Sequence, residues 1–544
     1  MAAIFRGADA LVAALQNAGT RWLFTLSGNQ IMSVFDASLD TPLELIHVRH
    51  EAAAVHMADA WGRLTGEPGV ALVTAGPGFA NCLSALYVAM MAESPLILLS
   101  GSAPRGGVGR GAFQDLPQAA MAAPVAKASW TVADPRQIAA EVSRAYRLAT
   151  TGRPGPVHLC LPVDILEGSC PRDEAASVGE GDLPAAAEFT EQDCEAVLAT
   201  IRNAERPLVL AGPALMRGEL LPTLETALGP PVIGMESPRG VNDPALGAFA
   251  EVLPQADLVV LLGKKLDFTL CLRGQPAYSR RCRFVQIDAD PSVLDLSRRV
   301  LDDPSRVVHS ICADPAEAAA SLSRFVSLAH GVRGWYDDVC LAIAYRPIDW
   351  DEQRSPTGAA LHPLEVCRAV DEFLGDDPSA VFVCDGGEFG QWAQARVTAG
   401  RRIINGASGS IGGVIPFALA ARLACPDSRI VATCGDGTFG FHALEFETAL
   451  RHNLPIVTVI GNDALWNAER QIQLRKFGRE RLVGCELSAT RYDRVVSALG
   501  GHGEQVTRAS DLLPALHRAA ASNLPACVNV PIEPAAAPIV RRWE

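Results

Sequence analysis

The chain has 544 residues, of which 49% are hydrophobic and 20% are charged, and its formal net charge is −14. This length allows three domains of ordinary size, and the composition is typical of folded globular proteins rather than disordered ones. The acidic balance without a basic run disfavours nucleic acid and anionic membrane surfaces as partners, and no apolar run approaches membrane-spanning length.

The first 168 residues predict one doubly wound α/β domain, in which short apolar runs alternate with helical patterns. An amphipathic helix at 7–18 precedes a strand at 22–26, and further strands are expected at 43–48, 70–74, 95–100 and 154–166. Polar or glycine-rich loops follow the first and third of these strands, where parallel sheets bind ligands. The glycine-rich segment 106–111 is not followed by a helical pattern, so we interpret it as a loop and not as a dinucleotide-binding turn.

Two further α/β domains are expected, at residues 190–326 and 358–535. The central one has predicted strands at 207–211, 258–263 and 284–288, and the last one begins with a strand at 381–385 and ends with one at 527–530. Segments 169–184 and 331–358 are polar or interrupted by proline and glycine, which predicts linkers.

One strand–helix–strand unit in the last domain carries the most specific pattern of the chain. A strand at 429–434 runs into Gly435, Asp436 and Gly437, a helical pattern follows, and a second strand ends at Asn462. Such a unit brings Asp436 and Asn462 to the carboxyl ends of parallel strands. The glycines and the helix N-terminus suit a phosphate group, and carboxylate and amide oxygens suit Mg²⁺. The sequence therefore favours a magnesium–diphosphate site over an ordinary turn.

This spacing resembles the signature of the thiamine diphosphate (ThDP) enzymes of the acetohydroxyacid synthase and pyruvate decarboxylase superfamily. The resemblance implies three doubly wound parallel-sheet domains: a pyrimidine-binding domain, a central domain and a diphosphate-binding domain. It also implies Mg²⁺ held by Asp436, Asn462 and the carbonyl of Ala464. The family usually has two consecutive asparagines, and here Gly461 replaces the first.

A second motif, Arg-His-Glu-Ala-Ala-Ala at 49–54, resembles the catalytic glutamate segment of the same family. Glu51 would hydrogen-bond the cofactor's pyrimidine N1′ and promote its imino tautomer. The alternatives are a plain charge at a helix start and a zinc motif, and the latter fails because Ala54 stands where histidine is needed.

The resemblance extends to further site residues. Asn29, Gln30 and Gln114 match substrate-side positions. The segment from Leu465 to 477 is expected to cover the pocket. Besides Glu51 and Asn462, the implied cofactor-binding residues are Gly76, Gly387, Glu388, Phe389, Gly409, Ile411, Gly435, Gly437, Thr438, Leu465 and Trp466.

The function implied is acetolactate synthase-like decarboxylation and carboligation of 2-keto acids. Two alternatives stay open, a lyase for 2-hydroxy ketones or 2-hydroxyacyl-CoA related to benzaldehyde lyase, and a non-catalytic cofactor-binding homologue. The family places each active site between two subunits, so a homodimer or homotetramer is expected. The fourteen single cysteines and the lack of a recognisable signal peptide lead us to expect a cytoplasmic protein.

The central domain has no recognisable flavin-binding pattern, so we expect no requirement for FAD. Coenzyme-A-using relatives hold the nucleotide with basic residues in this domain. Lys264, Lys265 and Arg273 are the candidates here, although exposed basic residues are usually only solvated.

Overall fold

A computed structural model describes residues 5–171, 188–272, 274–324, 333–356 and 358–542. In these residues the strands form three parallel sheets of six, five and six strands, each flanked by helices, and one short antiparallel ribbon. The predicted fold class, with three α/β units, is therefore confirmed. The proposed domain boundaries stay a prediction.

The first sheet has the order β2-β1-β3-β4-β6-β5. Its strands are β1 Trp22–Thr25, β2 Glu44–His47, β3 Gly69–Val73, β4 Leu96–Ser102, β5 Ala128–Thr131 and β6 Pro156–Pro162. The sequence patterns missed the edge strand β5, which is only half-buried and lacks a continuous apolar run. The predicted strand at 154–166 is shorter in the structure, because its last residues form a helical turn. The helices are Gly7–Asn17, Met32–Ser38, Glu51–Thr65, Pro77–Ala80, Leu83–Met91, Gln118–Ala122, Ile138–Thr150 and Val163–Leu166.

The central sheet has the order β13-β12-β9-β7-β8. Its strands are β7 Pro207–Ala211, β8 Val232–Gly234, β9 Leu258–Leu262, β12 Arg283–Asp288 and β13 Val307–Cys312, and the ribbon pairs β10 Cys271–Leu272 with β11 Gln275–Pro276. The two edge strands, β8 and β13, were not predicted. The helices here are Glu191–Arg202, Leu220–Leu228, Phe249–Val252, Pro291–Val300 and Pro315–Leu322.

The third sheet has the order β15-β14-β16-β17-β19-β18. Its strands are β14 Val381–Cys384, β15 Arg401–Ile404, β16 Ile430–Gly435, β17 Val457–Asn462, β18 His502–Gln505 and β19 Ala526–Pro531. Strands β16 and β17 lie side by side, as the strand–helix–strand pattern predicts. The helices are Pro363–Leu374, Gly387–Arg396, Val414–Ala424, Asp436–His442, Glu445–Arg451, Asn467–Phe477, Tyr492–Leu499 and Ala509–Ala521.

The segments between the sheets differ in part from the predicted linkers. Most of 169–184 lies outside the described residues. The expectation of an irregular segment at 331–358 is wrong in its first part, because the 12-residue helix Arg333–Ala344 lies within it. Trp335 of this helix is buried and donates a hydrogen bond to the carbonyl of Pro207, so the helix packs on the central sheet.

The first and third units share one hydrophobic core. The helix Glu51–Thr65 packs along the helix Val414–Ala424, and alanines on both allow the two backbones to approach closely. Arg63 strengthens this contact, since it pairs with the buried Asp59 and donates to the carbonyl of Ile404 across the interface. The helix that begins at Glu51 is thus fixed by the third unit as well as by the first.

Candidate functional site

The carboxylate of Glu51 lies at the first turn of its helix and is partly exposed. Its Oε2 accepts a hydrogen bond of 2.9 Å from the Asn81 side chain. Gly78 leaves room beside it, because a Cβ there would lie 3.3 Å from Oε1. Glu51 is therefore oriented by one amide and remains partly exposed, and the orienting residue, Asn81, was not found from the sequence.

A cluster of amide side chains lies on the same edge of the first sheet. Gln30 donates to Gln114 at 2.9 Å and accepts from Thr74 at 2.7 Å. Gln114 has a φ of 59°. A Cβ added to Gly76 would lie only 2.9 Å from the Cβ of Gln114, so the loops that carry these two residues are in close contact. The structure brings Gln30, Gln114 and Gly76 together, whereas Asn29 is exposed and makes no side-chain hydrogen bond among the described residues.

A glutamate of the third unit fixes the start of the Glu51 helix. The carboxylate of Glu445 accepts from the backbone N–H of Arg49 at 3.0 Å and of His50 at 3.1 Å. The Thr448 hydroxyl donates to its other oxygen at 2.7 Å. Burial raises the pKa of Glu445 to about 7. Nothing in the local sequence distinguishes Glu445 from other helical glutamates, so sequence reasoning missed it.

The predicted magnesium ligands lie at the carboxyl ends of β16 and β17. Asp436 is buried, and its Oδ2 has no hydrogen-bond partner among the described residues. Burial raises its pKa to about 6. Burial and the nearby Asp436 raise the pKa of Asp463, which sequence reasoning overlooked, to about 7. A buried carboxylate oxygen without a donor fits a hard cation such as Mg²⁺.

The other two predicted ligands are placed beside it but are partly engaged. Asn462 Oδ1 accepts from the N–H of Ala464 at 3.2 Å, and its amide donates to Thr490 and Asn529. Ala464 has a φ of 56°, and its carbonyl accepts from Leu487 at 2.7 Å. Each oxygen keeps a second lone pair for a metal. No group of three His, Cys, Asp or Glu side chains in the described ranges is arranged for a metal, so amide and carbonyl donors would be needed.

Aromatic rings pack against glycines around this site. A Cβ on Gly437 would lie 2.7 Å from the Trp466 ring, and a Cβ on Gly461 would lie 2.5 Å from the Phe389 ring. This contact explains the departure from the double-asparagine pattern, because Phe389 occupies the space that a side chain at 461 would need. Thr438 is buried in the helix that follows Asp436.

A buried aspartate holds the loops that carry the remaining predicted cofactor residues. Asp385, at the end of β14, accepts from Gly386 N–H at 2.7 Å and from Gly412 N–H at 2.8 Å. Burial raises its pKa to about 6. It thereby links the turn containing Gly387 to the loop containing Ile411, and it was not among the predicted residues. Ile411 lies near Gly386, and Gly409 has a φ of 67°. The backbone of Leu465 pairs with that of Glu486 in an isolated antiparallel β-bridge.

The candidate site thus has two half-sites, one around Glu51 in the first unit and one around Asp436 and Asn462 in the third. Comparisons with known proteins match both units. Residues 5–121 match the model of the N-terminal TPP binding domain of thiamine pyrophosphate enzymes, and residues 385–530 match that of the C-terminal TPP binding domain. Acetolactate synthase large subunit IlvG of Mycobacterium tuberculosis is 31% identical, over 96% of this chain and 95% of its own. The chain belongs to the thiamine pyrophosphate enzyme family.

Other relatives of this family member carry two different activities in their names. 2-hydroxyacyl-CoA lyase 2 of Bos taurus is 31% identical, over 93% of this chain and 86% of its own. The catabolic acetolactate synthase of Raoultella terrigena is 29% identical, over 97% of this chain and 95% of its own. The protein is a ThDP-dependent enzyme with both synthases and lyases among its relatives.

The Glu51 side and the Asp436 side of this thiamine pyrophosphate enzyme have separate hydrogen-bond partners within one chain. In the described part of the chain, no hydrogen bond or ion pair joins Glu51 to Asp436 or Asn462. The link between the two sides runs instead through Glu445, which lies next to the helix start and not at its carboxylate.

The prediction that basic residues of the central unit bind a nucleotide is wrong for one of its three residues. Lys264 is buried, and its ammonium donates to Asp267 and Thr269, so it is not available to a ligand. Lys265 is partly exposed, and Arg273 lies outside the described residues. No helix in the described ranges combines the length and hydrophobicity needed to cross a membrane.

Proposed function

We propose that the enzyme uses ThDP and Mg²⁺ to make or break a carbon–carbon bond next to a carbonyl group, as in acetolactate synthase. Asp436, Asn462 and the Ala464 carbonyl would hold Mg²⁺, and the glycines around Asp436 would admit the diphosphate. The bound cofactor supplies a nucleophilic carbon and an electron sink. The observation that carries this proposal is the unpartnered, buried Asp436 oxygen at the Gly-Asp-Gly turn.

The protein's own contribution to the chemistry is proton handling and orientation. Glu51 would hold and return a proton at the pyrimidine N1′, and Asn81 keeps its carboxylate in one orientation. Gln30 and Gln114 offer amide groups to polar atoms of the substrate. Phe389 and Trp466 add apolar surface that excludes water from the reacting atoms.

The assembly we propose is a homodimer or a homotetramer, with Glu51 from one chain and Asp436 from another at each site. The match of both TPP binding domains to a family whose active sites lie between two subunits supports it. We also propose a cytoplasmic location, which is supported by cysteines that stand singly along the sequence, without disulfide-framework or zinc spacing.

The test is a substrate panel with the protein reconstituted in ThDP and Mg²⁺. Pyruvate and 2-ketobutyrate report carboligation, whereas benzoin, oxalyl-CoA and a 2-hydroxyacyl-CoA report cleavage or decarboxylation. Rapid acetolactate formation that requires ThDP would support the synthase. Absence of ThDP-dependent turnover on every substrate would refute both activities and favour a non-catalytic homologue. The presence of Glu51, Asp436 and Asn462 disfavours that alternative.

A 2-hydroxyacyl-CoA lyase is the second candidate, and one observation favours it. A cavity of about 1060 Å³ lies beside the Glu388 turn, slightly above the range of roughly 300–1,000 Å³ found for ligand pockets. Two small 2-keto acids leave most of such a space unfilled. Cleavage of the 2-hydroxyacyl-CoA with slow or absent acetolactate formation would select the lyase.

A further inference from the structure

A buried histidine of the first unit makes a chain of hydrogen bonds that leads to the candidate site. His158, on β6, is fully buried, and both of its ring nitrogens make hydrogen bonds of 2.8 Å. Nε2 contacts the hydroxyl of Ser100 on β4, and Nδ1 contacts the hydroxyl of Ser129 on β5. Burial lowers the pKa of His158 to about 3, so the ring is neutral at pH 7 and only one nitrogen carries a proton.

The other partners of the two serines determine which nitrogen that is. The Ser129 hydroxyl donates to the carbonyl of Ala119 at 2.8 Å, so its oxygen is left to accept the proton of His158 Nδ1. Nε2 is then an acceptor, and the Ser100 hydroxyl donates to it. The Ser100 oxygen in turn accepts from the side-chain amide of Gln118 at 2.7 Å. The direction of every hydrogen bond in this chain is therefore determined.

The chain ends at the Gly76 turn, which belongs to the candidate site. Gln118 is buried, and its amide nitrogen also donates to the carbonyl of Gly101 at 3.0 Å. Its oxygen accepts the backbone N–H of Gly76 at 2.9 Å. Gly76 has a φ of 58° and a ψ of −114°, a conformation that favours glycine. Because such a conformation persists only where its surroundings hold it, the hydrogen bond from Gln118 fixes the turn.

The imidazole also contacts the segment after this turn directly. The ring of Phe79, in the short helix Pro77–Ala80 that follows Gly76, lies 4.9 Å from the ring of His158 between centroids. Phe79 is fully buried as well. One side chain therefore supports the turn in two ways, through hydrogen bonds and through packing.

The Gly76 turn packs against Gln114, the predicted substrate-side residue. A Cβ added to Gly76 would lie 2.9 Å from the Cβ of Gln114, so a shift of the turn displaces the backbone that carries the Gln114 amide. The amide itself is oriented by Gln30, which donates to its oxygen at 2.9 Å and accepts from the hydroxyl of Thr74. Gln114 thus has its N–H groups left for a substrate oxygen.

We propose that His158 is a positioning residue for the reaction, which holds the Gly76 turn and thereby the Gln114 amide. This inference rests on the proposed function, because it concerns the substrate side of the same active site. His158 is fully buried and acts only through other residues. Its loss should therefore impair the step that involves the substrate and leave the activation of the cofactor by Glu51 nearly unchanged.

The first experiment reads the tautomer and requires no substrate. Long-range ¹H–¹⁵N NMR of protein labelled at its histidine nitrogens reports which ring nitrogen carries the proton at pH 7, and His158→Gln identifies the signal. We expect a neutral ring with the proton on Nδ1. A proton on Nε2, or a charged ring, would reverse the order of donors and overturn the proposal.

The second experiment is hydrogen–deuterium exchange, followed by mass spectrometry, in the peptides that contain Gly76 and Gln114. Ser100→Ala removes the link between Gln118 and His158, and His158→Phe removes the imidazole at similar volume. We expect both variants to exchange roughly 10-fold faster at these peptides, as for the loss of about one net hydrogen bond.

Ser94→Ala is the matched control on the same strand. Ser94 is as buried as Ser100 and donates one hydrogen bond, to the carbonyl of Asp59 at 2.8 Å. It lies before the amino end of β4, whereas Ser100 lies near the carboxyl end. Exchange at the two peptides should match wild type in this control. Equal exchange in Ser94→Ala and Ser100→Ala would overturn the proposal.

The third experiment separates positioning from general destabilisation. With any substrate that the wild type turns over, His158→Phe and Ser100→Ala should lower kcat/KM roughly 10- to 100-fold, because small displacements of an orienting group are costly. C2–H/D exchange of bound ThDP should stay close to the wild-type rate. His158→Gln puts an acceptor oxygen near the place of Nε2 and should recover part of kcat/KM, whereas the shorter amide of His158→Asn should not.

The outcomes distinguish this inference from the proposed function. If C2–H/D exchange slows as much as turnover, the turn acts through Glu51 and the assignment to Gln114 is wrong. If the enzyme is active but the His158 variants behave like Ser94→Ala, the ThDP chemistry stands and the positioning role is refuted. If no substrate is turned over, the proposed activity is refuted, and the NMR and exchange measurements still decide whether His158 holds the turn.

Discussion

The contact of Glu445 with the Glu51 helix leads to a quantitative prediction for Glu445→Ala. The substitution leaves the N–H groups of Arg49 and His50 and the Thr448 hydroxyl without their acceptor. At about 1–3 kcal/mol for each buried donor left unpaired, offset in part by the removed burial cost of the carboxyl group, the free energy of unfolding should fall by roughly 3 kcal/mol. Urea unfolding followed by tryptophan fluorescence measures it.

Catalysis should suffer through the position of Glu51. The Arg49 and His50 amides directly precede Glu51, so their release loosens the helix start that orients its carboxylate. We expect C2–H/D exchange of bound ThDP, followed by NMR, to slow in Glu445→Ala, while the affinity for ThDP changes much less. Glu445→Gln keeps an acceptor oxygen for both amides and should restore most of the exchange rate.

The pH dependence of the free energy of unfolding distinguishes the wild-type protein from Glu445→Gln. The pKa of Glu445 is raised from 4.5 to about 7 in the folded state. Between these values the folded state binds the proton more tightly, so the wild-type protein loses stability as the pH rises from about 5 to 7. Glu445→Gln has no such group, and its stability relative to wild type should rise over that range by about 3 kcal/mol.

Glu447→Ala is the matched control, on the same helix. Glu447 makes a partly exposed ion pair with Arg451 at 3.0 Å and a longer one with the Arg49 side chain at 3.9 Å, and the loss of such pairs costs about 0.2–1 kcal/mol. If Glu445→Ala and Glu447→Ala reduce stability equally, or if exchange in Glu445→Ala matches wild type, the positioning argument is wrong.

Four further outcomes are expected. Glu51→Gln should slow C2–H/D exchange and turnover by at least about 10²-fold, as expected for a lost general acid–base group, with a smaller effect on ThDP affinity; unchanged exchange would make Glu51 a structural residue. Asp436→Ala should lose Mg²⁺-dependent ThDP binding in calorimetry with an unchanged unfolding midpoint, and wild-type affinity would refute the metal assignment. Mg²⁺ should bind more tightly at pH 8 than at pH 6, because the raised pKa values of Asp436 and Asp463, about 6 and about 7, make protons compete with the metal; a pH-independent Kd from titration calorimetry would contradict this. Gly461→Asn should lower the unfolding midpoint, because the new side chain meets the Phe389 ring, and Gly461→Asn combined with Phe389→Ala should recover part of the loss.

Much of the fold and of the candidate site was predictable because the signals are local. The Gly-Asp-Gly turn, the helical pattern after it and the strand that ends at Asn462 lie within one strand–helix–strand unit, whose geometry fixes where Asp436 and Asn462 emerge. The fully buried strands of each sheet were found for the same reason, since each is a continuous apolar run. The edge strands β5, β8, β13 and β18 were missed because their half-exposed sequences carry no such run.

The sequence by itself determined which residue types stand at the strand ends, and therefore the resemblance that implies the class of cofactor. Only the tertiary structure decided which distant groups support them. Glu445 reaches the amide of Arg49 across 396 positions, and Glu388 reaches Ala537 across 149. No periodicity or spacing records such contacts, because they depend on how whole units pack against each other. The burial of Lys264, whose ammonium donates to Asp267 and Thr269, was decided at that level too.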